Sequence, residues 1–121
     1  MTEALLKQYL VLALKKELTG AVVFRHEDKF RAGIPDLSVT WAGKTTWIEV
    51  KFVAPRLRQK EIQDVVLKDL CDQGSALYVL YVKKNSMIET QIVNPLTKQQ
   101  WYTSGFDHTF VARFIRDYHQ P

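Results

Sequence analysis

The stretch Gly33-Ile-Pro-Asp-Leu-Ser-Val-Thr-Trp-Ala-Gly-Lys-Thr-Thr-Trp-Ile-Glu-Val-Lys-Phe52 decides how this chain folds. From Asp36 onward it alternates, with Leu37, Val39 and Trp41 on one face and Asp36, Ser38 and Thr40 on the other. After Ala42-Gly43 a second alternating run places Trp47, Glu49 and Lys51 on one face and Ile48, Val50 and Phe52 on the other. Two strands this close in sequence pair as an antiparallel hairpin, and a two-residue loop at Ala42-Gly43 pairs Trp41 with Lys44. Paired positions then sum to 85, so Asp36 falls opposite Glu49. One more residue in the turn would separate these carboxylates onto opposite faces.

Outward from the hairpin, Leu6, Leu10, Leu14 and Leu18 recur every four residues. Thr2 stands as an N-cap and Gly20 lies just past the end, which describes an amphipathic first helix. Ala21 to Phe24 reads as a short strand, and Arg25 to Gly33 as a charged loop. Beyond Pro55, Ile62, Val65, Val66 and Leu70 mark a helix from about Gln59 to Gln73, closed by Gly74. Ala76 to Val82 is a nearly continuous apolar run, the pattern of a central strand covered on both faces. Lys83 to Ser86 reads as a turn, Met87 to Val93 as an edge strand ended by Asn94-Pro95, and Phe110, Val111, Phe114, Ile115 and Tyr118 as the apolar stripe of a last helix. The expected class is α/β, a mixed central β-sheet flanked by α-helices.

With 121 residues, 46% hydrophobic and 25% charged, the chain suits a single domain over 1–121. The opening Met-Thr-Glu lacks a basic stretch leading into an apolar run, and no window approaches the length of a membrane span. A soluble cytoplasmic protein with no membrane partner and no organic cofactor is the expectation. Cys71, the single cysteine, reads as a small apolar residue in a reducing compartment. The net charge of +4 is uneven, because residues 1 to 60 hold 11 Lys and Arg against 6 Asp and Glu, and the remainder 6 against 7. A basic half suits a polyanion such as DNA, although RNA would serve equally well and many proteins are basic for other reasons.

Two carboxylates facing each other across a hairpin, about 5 Å apart at Cβ, repel unless something positive lies between them. A divalent cation answers that need. Oxygen ligands without His or Cys favour Mg²⁺, with Mn²⁺ as a substitute, over zinc. Lys51 shares the face of Glu49, where an ammonium can orient a water and offset charge developing on a phosphate. The plainer reading makes Glu49 and Lys51 charges on an open strand face and Asp36 a turn residue after Pro35. Their setting within Trp47-Ile-Glu-Val-Lys-Phe52 favours the first, since charges among apolar residues need partners.

Ile34-Pro35-Asp36 followed by Glu49-Val50-Lys51 resembles the PD-(D/E)XK nuclease core. Gly33-Ile34-Pro35-Asp36-Leu37 is similar to the Gly-x-Pro-Asp-Leu pattern of the virus-type replication and repair nuclease (VRR-NUC) domains, and the chain also resembles archaeal Holliday-junction resolvases. The match covers about residues 3 to 82, including Gln63, Leu70 and Gly74 of the predicted helix. The resemblance implies a restriction-endonuclease-like core with Asp36 and Glu49 as metal ligands, the Val50 carbonyl as a third, and Lys51 as the catalytic lysine. It makes Glu3 the acidic residue of the first helix near the metal, and Gln63 a group beside the lysine. On their own, Glu3 reads equally as an acid favoured by the helix dipole, and Gln63 as a solvated helix position.

Arg25, Lys29, Arg31, Arg56, Arg58 and Lys60 flank the acidic motif. Singly each reads as a solvated surface residue, and as a group they outline a phosphate track. His26, His108 and His119 have no spacing that links them and read as ordinary. Trp101, Tyr102 and Phe106 read as packing residues before base-stacking ones. The expectation is a Mg²⁺-dependent DNA endonuclease acting on branched, flapped or Holliday-junction DNA by shape, and working as a homodimer. The alternative is a non-catalytic module that binds nucleic acid or protein on the same fold.

Overall fold

The leucine spacing folds as expected. In the computed structural model, which describes residues 1–27, 34–53, 70, 72–73 and 76–118, the first helix α1 spans Glu3–Glu17. Thr2 is its N-cap, in extended backbone, and its hydroxyl accepts the Leu5 N–H at 3.2 Å. That bond satisfies one of the donors that every helix start leaves open. At the other end the Leu18 N–H bonds the Leu14 carbonyl, and Gly20 supplies a positive φ of 83° for the turn into the sheet. Leu6, Leu10, Leu14 and Leu18 are completely buried. Each contributes roughly 1.5–3 kcal/mol of transfer free energy, so the four together outweigh the cap.

Six strands follow: β1 (Val22–Arg25), β2 (Leu37–Trp41), β3 (Lys44–Val53), β4 (Ala76–Lys84), β5 (Met87–Val93) and β6 (Gln100–Ser104), and then helix α2 (His108–Tyr118). They form one sheet in sequence order. All neighbours are antiparallel except β3 and β4, which run parallel. A parallel step needs a crossover, and the helix expected at Gln59–Gln73 falls there. Leu70 and Asp72 are helical, Gln73 lies in a turn with its N–H on the Leu70 carbonyl, and the rest of that prediction lies outside the described residues. The α/β class and the mixed sheet are as expected.

One expectation fails. Met87–Val93 is not an edge strand, because β6 pairs along it from Val93↔Gln100 to Glu89↔Ser104 and takes the edge itself. Asn94 makes the reversal: its Oδ1 accepts the N–H groups of Leu96 and Thr97, and Lys98 adopts a φ of 63°. Asn94-Pro95 therefore ends β5 only to return the chain. The alternation in Gln100–Ser104, with Trp101 and Thr103 half-buried between exposed residues, is a strand pattern. Trp101 lies 4.6 Å from Phe114 between ring centroids, so it packs rather than binds, whereas Tyr102 is exposed.

Both described helices cover the same sheet face. There Leu37, Val39, Ile48, Val50, Leu77, Val79, Tyr81 and Ile92 meet the α1 leucines and Val111, Ala112 and Ile115 of α2. The opposite face carries a second cluster of Ala76, Tyr78 and Leu80, against which Trp47, Val53 and Leu70 pack. β4 belongs to both clusters, as its apolar run predicts. Among the described residues, no helix is long and apolar enough to cross a membrane.

α2 is anchored by polar groups at its first turn. Tyr81, fully buried, bonds His108 Nδ1 through its hydroxyl at 2.7 Å. Asp107 Oδ1 accepts the Phe110 N–H. The Thr90 hydroxyl donates to the Gly105 carbonyl and accepts the Asp107 N–H. Burial pushes the Tyr81 phenol well above its ordinary range, with the Asp107 charge adding to the effect. Burial lowers the His108 imidazole below its usual 6.5, partly countered by Asp107.

Two outcomes follow from these elements. A histidine with a lowered folded pKa takes up more protons when unfolded, so its stabilising contribution is complete above 6.5 and is lost as pH falls through the folded value. Urea unfolding in steps from pH 7.5 to pH 5 will show declining stability, and His108→Gln will flatten that decline. In the hairpin turn, Ala42 adopts a φ of 52° next to Gly43 at 78°. Ala42 tolerates this left-handed backbone poorly. Ala42→Gly will raise unfolding free energy by about 0.5–1 kcal/mol.

Candidate active site

The hairpin turns in two residues, with positive φ at both as a type I′ turn requires. The ladder runs from Trp41↔Lys44 to Leu37↔Ile48, the expected register. β2 stops at Leu37, preceded by Pro35, which has no N–H to offer a ladder. β3 continues through residues 49 to 53. In a two-residue hairpin the bonded pairs alternate from the turn outward, so the N–H and C=O groups of Val50 and Phe52 face the side that β2 has left.

Two carboxylates occupy that edge. Asp36 Oδ2 accepts the Val50 N–H at 2.9 Å, and Glu3 Oε1 accepts the Phe52 N–H at 3.1 Å. Side chains from the β2 start and the α1 start thus continue the ladder in place of a strand. By the same alternation the Val50 carbonyl opens onto this edge, between the two acids. Glu3 is therefore more than an acid at a helix N-terminus.

Lys7, one turn after Glu3 on α1, brings its ammonium to 3.1 Å from Asp36 Oδ1, with side-chain exposures of 21% and 8%. Nothing in the hairpin motif points to Lys7. The signal that could have found it is its spacing from Glu3, which puts both on one stripe of the helix.

Glu49 and Lys51 sit on the sheet face away from α1, in register with Tyr78 and Leu80 of β4. Glu49 is 7% exposed and Lys51 is half-buried. The three acids do not converge: among the described residues, no three His, Cys, Asp or Glu side chains are grouped to hold a metal ion. Asp36, Glu3 and the Val50 carbonyl share the open edge, and Glu49 stands next along the strand on the adjoining face.

The β1–β2 register, from Val22↔Thr40 to Arg25↔Leu37, continues one step further as the His26 N–H donates to the Asp36 carbonyl at 2.8 Å. His26 therefore lies in register with Asp36, one step beyond the last β2–β3 pair, Leu37↔Ile48; the expected pairing of Asp36 with Glu49 is not made, because the ladder ends first and the Asp36 side chain turns to Val50. Read as ordinary from the sequence, it is placed there only by strand pairing across the loop. Arg25 is exposed and paired with Glu27 at 2.8 Å. Gln63, Lys29, Arg31, Arg56, Arg58 and Lys60 lie outside the described residues.

The donors at this edge are hard oxygens, a buried carboxylate beside a main-chain carbonyl, and a positive charge already rests against Asp36. Their chemistry fits an oxygen-liganded divalent cation. The chain matches no protein-family model and no curated protein.

Removing the ammonium tests this fit. Lys7→Met will cost about 1–3 kcal/mol, below the range for a fully buried pair because Lys7 is partly exposed. If Asp36 takes a cation, Mg²⁺ will restore more stability to the variant than to the parent, as read by urea unfolding with and without the ion. An identical Mg²⁺ response in both would exclude Asp36 as a ligand.

Proposed function

We propose that this protein is a metal-dependent nuclease with a restriction-endonuclease-like core, hydrolysing phosphodiester bonds in branched, flapped or Holliday-junction DNA. The observation that carries the proposal is Asp36, nearly buried and fixed to the Val50 N–H, with Glu49 and Lys51 on either side of Val50. A purely structural strand edge would need no acids there, since a few more residues of β2 would close it. The basic first half of the chain supports a polyanionic substrate.

Asp36, the Val50 carbonyl and Glu49 would hold Mg²⁺ or Mn²⁺, with Glu3 beyond them. When bound, the ion supplies a polarised phosphoryl oxygen and a more acidic water. The chain's own groups do the rest. The Val50 N–H holds Asp36 Oδ2 in place, and Lys7 stands at the other carboxylate oxygen. Lys51, on the face of Glu49, orients the water that attacks phosphorus and offsets charge on the non-bridging oxygens as the 3′ oxygen departs. A homodimer with two-fold symmetry would present two such sites to the two strands of a junction.

The Lys7–Asp36 pair also supports a second reading, a non-catalytic nucleic-acid-binding or protein-binding module in which the lysine permanently takes the cation's place. One set of assays separates the two. Labelled four-way junction, flap, duplex and single-stranded DNA are incubated with Mg²⁺, Mn²⁺ or chelator. The nuclease reading expects metal-dependent cleavage that Asp36→Asn and Lys51→Ala each lower by about 100-fold or more. Absence of cleavage on every substrate, or full activity in both variants, leaves the binding module.

A further inference from the structure

The sheet face that carries Glu49 and Lys51 also carries three rings that the hydrolytic site does not use. Phe24, Ser38, Trp47 and Ala76 form one row across β1, β2, β3 and β4 by their register, and His26 follows in the next row, beside Asp36. The His26 ring stacks on Trp47, with centroids 5.0 Å apart and planes at 29°. Phe24 lies 6.4 Å from His26, with the planes tilted by 43°. His26 Nε2 and the Ser38 hydroxyl are 2.8 Å apart, which pins the imidazole. The three rings are therefore a built series.

Its outer member is open to solvent. Phe24 is 59% exposed, while its neighbour Val23 packs against the core on the opposite face. Phe24 is thus the solvent-facing end of the series, on β1 at the edge of the sheet. The inner member, Trp47, precedes Glu49 by two residues on one face, a rise of about 6.6 Å. Trp47 thus stands one step from Glu49 along β3, with Lys51 one step beyond Glu49 on the same face, while His26 lies beside Asp36. The rings therefore border both acids.

We propose that Phe24, His26 and Trp47 form a stacking platform for unpaired bases of the DNA strand whose phosphodiester lies at Asp36 and Glu49. Bases offer flat faces to rings whatever their identity, and duplex DNA keeps those faces covered. The platform therefore selects single-stranded segments, such as a flap or the splayed arm of a junction, and holds them beside the acids. This deepens the nuclease reading and rests on it for the position of the phosphodiester.

Binding is measured in chelator, so that no cleavage intervenes, by fluorescence anisotropy of a short labelled oligothymidylate and of a blunt duplex. The intact chain is expected to bind the single strand more tightly. Phe24→Ala will weaken that binding by about tenfold and leave duplex binding unchanged, and Phe24→Trp will retain it. His26→Ala provides a second reading of the same loss, and thermal unfolding of each variant establishes that the fold persists. Equal single-strand affinity in the folded Phe24→Ala variant overturns the proposal. So does an equal loss on duplex, or sedimentation showing that Phe24→Ala splits a dimer, which would make the rings a contact between copies. Platform failure with Asp36-dependent cleavage intact leaves the nuclease reading standing. Stacking without any metal-dependent cleavage leaves a single-strand-binding module instead.

Discussion

β3 outruns β2, and a strand that continues past its neighbour exposes N–H and C=O groups that must be satisfied. Here the outward N–H groups of Val50 and Phe52 are taken by Asp36 and Glu3. The consequences spread through the fold. α1 must start where Glu3 can reach Phe52, and its leucine stripe must at the same time cover Leu37, Ile48 and Val50. Pro35 must end the ladder where it does, so that a side chain rather than a strand meets Val50.

The same arrangement concentrates negative charge at one place on a low-dielectric core. Lys7 answers part of it from the helix that brings Glu3, and that pairing gives the site its chemical character. An acid held by a main-chain N–H is fixed in position whatever its counter-charge, and Lys7, which remains partly exposed, supplies that charge here.

The same sheet face is secured again at the start of α2. Tyr81 and His108 join the central strand to the start of α2 through a buried hydroxyl and an imidazole, and Thr90 ties the preceding loop to β5. His108 also stacks on Tyr9 of α1, with ring centroids 5.5 Å apart, and Tyr81 is in register with Phe52, whose N–H Glu3 takes. The anchor and the acidic edge therefore meet at Phe52, and changes at the two will couple rather than add.

Local rules were enough for much of this. The period-four leucines, Thr2 as cap, the two-residue turn at Ala42-Gly43 and the register that follows from it depend on neighbours close in sequence, and they read directly from the chain. The apolar run of β4 announced a strand with cover on both faces. β6 was legible in principle from the alternation around Trp101 but was masked by the Asn94-Pro95 stop signal, which ends one strand without saying whether the chain returns. What only the tertiary structure decided are the meetings between distant segments: Glu3 at Phe52, Lys7 at Asp36, His26 beside the acids and the rings on Trp47. Sequence patterns specify which face of a helix or strand is buried, whereas the identity of the group across a gap depends on how separate elements dock, and docking is set by the packed core as a whole.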